Sequence, residues 1–150
     1  MTAPHDASPT PDEIARRSAA ALWQTDTASR ALGMEIVEVG AGRATVTMPV
    51  TPAMANGHGS MHGGYIFTLA DTAFAYACNS HDRRAVAQHA QISFIAPGRP
   101  GSLLTAIATE RQRADRSGIY DVTVHDESGT TIAEFRGWSR TIPGTYGAAR

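Results

Sequence analysis

The run GGYIFTLADTAFAYACNS, residues 63–80, would carry apolar side chains around almost its whole circumference as a helix: Ile66, Leu69, Ala70, Ala73 and Ala77 on one side, Phe67, Phe74, Ala75 and Cys78 on others. A helix apolar all round has to be enclosed on most of its faces. Nothing breaks it before Asn79, and the small residues Ala70, Ala73, Ala75 and Ala77 allow surrounding strands to come close. An antiparallel sheet curled around a single helix meets that demand. In the middle of the run stands one carboxylate, Asp71. Burying an ionised carboxylate is costly unless it is compensated, so Asp71 needs either a structural partner or a task. The structural alternatives are a pairing with Arg99 or Arg111, or a hydrogen bond from Thr68 or Thr72.

The flanking segments supply the wrapping. From Pro11 to Gly33 a helical stripe of Ile14, Ala21 and Leu22 follows a proline and acidic start, with Gly33 as its terminator. The next stretch alternates on either side of Gly40-Ala41-Gly42, with Met34, Ile36 or Val37, and Val39 before the turn and Ala44, Val46 and Met48 after it, which predicts a hairpin. The segment TPAMANGHGSMHGG reads as a loop feeding the apolar helix. After Arg83 come AVAQHAQISFIAP, SLLTAIATERQR and GIYDVTVHDESGTTIAEFRGWSRTI, the last splitting into two strands at ESGT. The predicted order is helix, two strands, long helix, four strands: an α+β chain with an N-terminal helix. A length of 150 residues with 42% hydrophobic residues fits one domain. We expect it over 11–143, with a disordered tail at 1–10 and a frayed one at 144–150.

Charge and cysteine usage exclude several classes. Thirteen basic and 14 acidic residues leave a formal charge of -1, so no global field recruits nucleic acid or an anionic membrane. No segment approaches a membrane span and no leader-like stretch opens the chain, which makes the cytoplasm the expected compartment. The lone Cys78 sits in an alanine-rich run and reads as a buried structural thiol. His58 and His62 have metal-pair spacing but a Gly-rich loop between them, and His81-Asp82 lacks the other ligands a metal phosphohydrolase needs. His89 and His125 read as ordinary polar positions on strands. No metal or cofactor is expected, and no phosphate loop of the nucleotide-binding type is present.

At the start of the apolar helix, His62-Gly63-Gly64 would expose free backbone N–H groups, reinforced by the helix dipole, to an anion or a polarised carbonyl oxygen. Glycine lets a substrate approach that backbone closely, although a Gly-Gly pair also serves a plain tight turn. Asp71 follows His62 by nine positions, roughly half a turn round and about 13 Å along the axis. It cannot serve its own helix terminus. An antiparallel helix from a second copy would bring Asp71 of one chain near Gly63 of the other, giving two equivalent sites across a two-fold axis. A carboxylate facing a carbonyl so polarised is equipment for acyl transfer to water, with Asp71 as general base or nucleophile. Asn56 would orient the water or hold the acyl group; alone, its Asn-Gly pair is a turn signal.

Residues 56–80, NGHGSMHGGYIFTLADTAFAYACNS, resemble the hotdog-fold acyl-CoA thioesterases, most specifically the phenylacetic-acid-degradation group, and the likeness extends over about 11–143. The resemblance implies a sheet wrapped around a long helix, a homodimer with sheets joined edge to edge, and a homotetramer of two such dimers. It places the catalytic aspartate on Asp71, the polarising glycine on Gly63, and further site residues on His62, Asn56 and Thr72. The implied substrate is an acyl-CoA with an aromatic acyl group, phenylacetyl-CoA or a hydroxylated relative. Gly64, Tyr65 and Phe74 are candidates for the substrate pocket, the aromatic pair being equally readable as core. For CoA phosphates the candidates are Arg111, Arg113 and Arg116 with Ser117 and Gly118. On a regular strand Arg111 and Arg113 share a face; the plain alternative is a solvated strand and turn. Two other functions compete: a hotdog enoyl-CoA hydratase or dehydratase using His62 and Asp71, and a non-catalytic acyl-CoA-binding module, which would gain nothing from a buried acid.

Overall fold

A computed structural model describes residues 7–150. Of the amino-terminal tail expected over 1–10, residues 1–6 lie outside the described residues. Helix α1 (Pro11–Trp23) starts at a reciprocal cap, in which Glu13 N–H donates to the Thr10 hydroxyl and Thr10 N–H to the Glu13 carboxylate, with Pro11 at the first helical position. The helix expected to continue to Gly33 is broken. Asp26 instead caps a short α2 (Thr27–Ala31) by accepting from Ser29 N–H, the local alternative that Asp and Thr side chains offer a backbone. Gly33, at φ +72°, ends this second piece.

Strands β1 (Glu35–Gly40) and β2 (Arg43–Pro49) form the expected hairpin, and the loop with its short 3₁₀ turn (Pro52–Met54) leads into α3 (Gly63–Cys78). Then come β3 (Ala85–Phe94), β4 (Leu103–Ala114), β5 (Ser117–His125) and β6 (Thr131–Thr141). All pair antiparallel in one six-stranded sheet of order β1-β2-β4-β5-β6-β3 around α3, the α+β arrangement that the resemblance to the hotdog-fold thioesterases implies. The choice between Ile36 and Val37 is settled by a bulge. Pairing passes from Ile36–Val46 to Glu38–Thr45, and Val37 is left 62% exposed.

Alternating residues of the sheet's inner face, among them Val46, Met48, Leu104, Ala106, Val122 and Val124, are fully buried, as are Leu69, Ala70, Ala73 and Ala77 of α3. Alanine on both surfaces brings sheet and helix close, and Gly137 on β6 brings them closer still: a Cβ there would lie 2.8 Å from the ring of Phe74. No helix among the described residues is long and apolar enough to cross a membrane.

The two sheet edges differ. Each contains a bulge, at Val37 in β1 and at Gln88 in β3, but β1 carries Glu35 and Glu38 and is flanked by α1. β3 is ten residues long, AVAQHAQISF, without a charge or a proline, and leaves Val86 and Phe94 exposed by 46% and 55%. An edge of that kind is an open template for another strand.

The carboxy-terminal segment is not frayed. The buried carboxylate of Asp82 accepts three backbone N–H bonds, from Tyr146 (2.9 Å), Ala148 (2.9 Å) and Ala149 (3.0 Å). From the sequence Asp82 is weighed only as part of a His81-Asp82 metal pair, because the partners of its carboxylate arrive from the far end of the chain. Substituting Gly137→Ala is expected to destabilise the fold by about 1–3 kcal/mol through overpacking against Phe74. A lower urea midpoint at unchanged slope would register it.

Candidate active site

Two features of α3 stand apart from its packing role. At its start, Asn56 organises the loop, its Oδ1 accepting from the N–H groups of His58 (2.9 Å) and Ser60 (3.3 Å). Its Oδ1 is thus committed to the turn. Met61 N–H and His62 N–H then donate to the carbonyls of Gly98 and Met54, which fixes the entry into the helix. His62 is the N-cap, and its Nδ1 accepts from Gly64 N–H at 3.0 Å, so the ring carries its proton on Nε2. Gly63 N–H has no acceptor among the described residues. A Cβ on Gly63 would lie 3.0 Å from the ring of Phe94, so the free donor sits beneath an aromatic side chain from the end of β3. Beside it, His62, Gly64, Tyr65 and Thr68 line a cleft of about 390 Å³.

Farther along α3, half-buried Asp71 opens on a second cleft of about 470 Å³, walled by Leu22, Phe74, Cys78, Val86 and Tyr146. No ion pair or hydrogen bond reaches its carboxylate among the described residues. Of the structural partners open to it, Arg111 lies 3.5 Å from Asp121, the hydroxyls of Thr68 and Thr72 donate to the carbonyls of Gly64 and Thr68, and Arg99 forms no ion pair with it. Thr72 is buried and also touches Ser29 at 3.4 Å, so it does not join Asp71 in the cleft. Phe74 is chiefly core, with its ring against Tyr120 and Phe135.

The two clefts share no residue, so one chain does not bring Asp71 to Gly63. Gly63 and the Asp71 cleft meet the open strand β3 at opposite ends: Gly63 packs under Phe94, and the Asp71 cleft includes Val86. Sequence reasoning missed Phe94, Val86 and Tyr146, whose places depend on the register of β3 and the path of the chain end.

The cationic cluster is not gathered either. A bulge between Glu110 and Gln112 reverses the alternation of β4. Arg111 therefore pairs with Asp121 on the outer face, while Arg113 lies 3.8 Å from Glu110, whose carboxylate accepts from Tyr120 on the inner side. The shared face expected for Arg111 and Arg113 does not exist. Arg116 and Ser117 are exposed at the hairpin, and buried Gly118 serves packing, a Cβ there lying 2.7 Å from the Tyr120 ring.

The Thioesterase superfamily model matches residues 58–133, the span from the Gly-rich loop through α3 into β6. This chain belongs to the thioesterase superfamily. It is 47% identical to "Acyl-coenzyme A thioesterase PaaI" of Escherichia coli over 129 residues, 86% of this chain and 92% of that protein. The solved structure of the E. coli PaaI protein from the phenylacetic acid degradation operon superposes with a TM-score of 0.89 at 45% identity, covering 91% of this chain and 99% of that one. A Streptococcus mutans protein solved with bound acetyl CoA superposes at 0.72 with 25% identity, over 75% of this chain and 90% of that chain.

Within this thioesterase superfamily fold, electrostatics separates the two candidate reactive groups. Burial raises the carboxyl of Asp71 above the ordinary aspartate range. Burial likewise pushes the Cys78 thiol up to about 12, with the nearby Asp71 charge adding to it, so Cys78 stays protonated at neutral pH. Among the described residues no group of three or more His, Cys, Asp or Glu side chains is placed to hold a metal ion.

A carboxyl raised in the folded state favours folding when protonated and loses that contribution as pH rises through its folded value. Asp71→Asn is therefore expected to melt higher than the natural protein at about pH 8 and to converge with it in acid below both values of the group. A variant melting lower at neutral pH would show that the carboxylate has a stabilising partner.

Proposed function

We propose that the chain is an acyl-CoA thioesterase that hydrolyses aromatic thioesters of the phenylacetyl-CoA and hydroxyphenylacetyl-CoA type to the free acid and CoA. The observation that carries this reading is Asp71, a half-buried carboxylate without an ion-pair partner among the described residues, facing a mainly apolar cleft. The similarity to the E. coli acyl-coenzyme A thioesterase supports the substrate class.

The site needs two chains. An isologous antiparallel pairing of β3 with its copy, centred near Ala90, sets Val86 of one chain opposite Phe94 of the other. Since Val86 borders the Asp71 cleft and Phe94 covers Gly63, this pairing unites the two halves that one chain holds apart. It also covers the undefended edge. Homodimers so formed would associate further as a homotetramer, working in the cytoplasm, where acyl-CoA is available.

In the composite site the thioester carbonyl oxygen accepts from the free Gly63 N–H at the positive end of α3. Asp71 takes a proton from water as the new C–O bond forms, the negative charge moves to the carbonyl oxygen, and the C–S bond then breaks. The sulfur leaves with a proton returned by Asp71. A carboxyl raised by burial suits both halves of this cycle, accepting and then giving a proton. Direct attack by the carboxylate on the carbonyl uses the same geometry. His62, with Nδ1 occupied by Gly64 N–H, is read as the residue that shapes the helix start.

The test is release of free thiol from phenylacetyl-CoA, hydroxyphenylacetyl-CoA and a straight-chain acyl-CoA by the natural protein and Asp71→Asn. We expect the aromatic thioesters to be preferred and the variant to lose at least about 100-fold in kcat while remaining folded. Because the base works ionised, kcat/KM should rise with pH through a midpoint above 3.8, the ordinary aspartate value. No release by the natural protein, or equal rates in both, would refute the assignment.

A further inference from the structure

The cleft at Asp71 has a wall that comes from the end of the chain, outside residues 58–133 matched by the family. Tyr146 stands in that wall, and several bonds hold it there. Its hydroxyl donates to Asn79 Oδ1 at 2.6 Å, and its N–H donates to Asp82 at 2.9 Å. Asn79 is itself rigid, its amide donating to the carbonyls of Ala75 and Ala85 while its Oδ1 also accepts from Ala85 N–H. It thus ties the end of α3, the start of β3 and Tyr146 into one unit. Asp82 has φ 54°, a left-handed backbone that is uncommon for a non-glycine residue and worth a reason. The reason visible here is that its carboxylate collects three N–H donors of the chain end. Arg84 N–H donates to the Gly144 carbonyl, and Arg17 reaches the carbonyls of Ala148 and Arg150, so the segment is fastened along its length.

A segment fastened this way is a built surface: Leu22, Phe74, Val86 and Ile142 share the cleft with the Tyr146 ring, the polar Asp71, Asn79 and Arg84 complete it, and the Arg84 guanidinium carbon lies 5.9 Å from the centroid of that ring. We propose that Tyr146, clamped by Asp82 and Asn79, is the specificity-determining end wall of the acyl pocket, admitting a compact aryl-acetyl group and stopping longer acyl chains. This deepens the Asp71 reading and rests on it. The hydroxyl is turned to Asn79, so the wall presents ring carbon to the ligand. Its selection is by length and shape.

The experiment compares octanoyl-CoA with phenylacetyl-CoA for the natural protein, Tyr146→Ala and Tyr146→Trp, each checked for folding by its melting curve. The ratio of kcat/KM, octanoyl over phenylacetyl, should rise at least about tenfold in Tyr146→Ala and fall in Tyr146→Trp, the scale on which hydrophobic pockets discriminate by size. In parallel, calorimetry with the two non-hydrolysable ketone analogues, in which methylene replaces the thioester sulfur, reads the pocket without turnover. Matching shifts in both measurements support the wall. Hydrolysis by all three proteins at an unchanged ratio overturns it and leaves Asp71 in place. A shift in analogue binding without any hydrolysis by the natural protein supports the wall and refutes the thioesterase assignment. Binding of neither analogue by the natural protein overturns both.

Discussion

Asp71 is held half out of water on a helix that is otherwise enclosed, and no cation compensates it among the described residues. That arrangement is tolerable only because one flank of α3 stays open to a cleft, where solvent or substrate can reach the carboxylate. The enclosure of the other flanks depends on small residues. Ala70, Ala73 and Ala77 on the helix, Ala106 and Ala108 on β4, and Gly137 on β6 let backbone approach backbone, and aromatic rings such as Phe74 fill what is left. The rigid scaffold therefore carries both halves of the proposed site on one element, with the free Gly63 N–H at its start and Asp71 in its middle. A straight helix cannot fold back on itself, so the same rigidity that positions each half keeps them apart within a chain.

The edges of the sheet resolve this. β1 is protected by charge and by α1, whereas β3, which has a bulge of its own at Gln88, offers an uncharged edge of ten residues with exposed apolar side chains at both ends. Strand β3 adjoins both half-sites, Val86 at one and Phe94 at the other. A two-fold pairing along it covers the apolar ends and joins unlike halves in a single step. On this account association and catalysis draw on the same strand.

Much of this was legible in the chain. The all-round apolar pattern of 63–80 implies an enclosed helix, and the alternation around Gly40-Ala41-Gly42 implies a hairpin. What was illegible depends on backbone irregularity or on distant partners. The break at Gln24–Asp26 turns on whether Asp26 caps a new helix or stays in the old one. The bulges at Val37 and Arg111 each invert a strand's alternation, and the second separates two arginines that regular spacing would align. The role of Asp82 is set by backbone donors more than sixty residues away, and that of Phe94 by the register of β3 against α3. Periodicity carries no record of either.

The most direct test of the composite site is complementation between two inactive chains. Gly63→Pro removes the free N–H while keeping a backbone suited to the first helical position, and His62, at φ -59° and ψ 131°, already has the extended conformation a following proline requires. Asp71→Asn removes the carboxylate. Co-expressed with different tags and purified as the mixed dimer, the two chains should regain about half the natural kcat per dimer, because one of the two sites then takes Asp71 from one chain and Gly63 from the other. A mixed dimer as inactive as its two parents would show that both groups act within one chain, and either parent retaining full activity would show that its altered group does not act; each result would contradict the account.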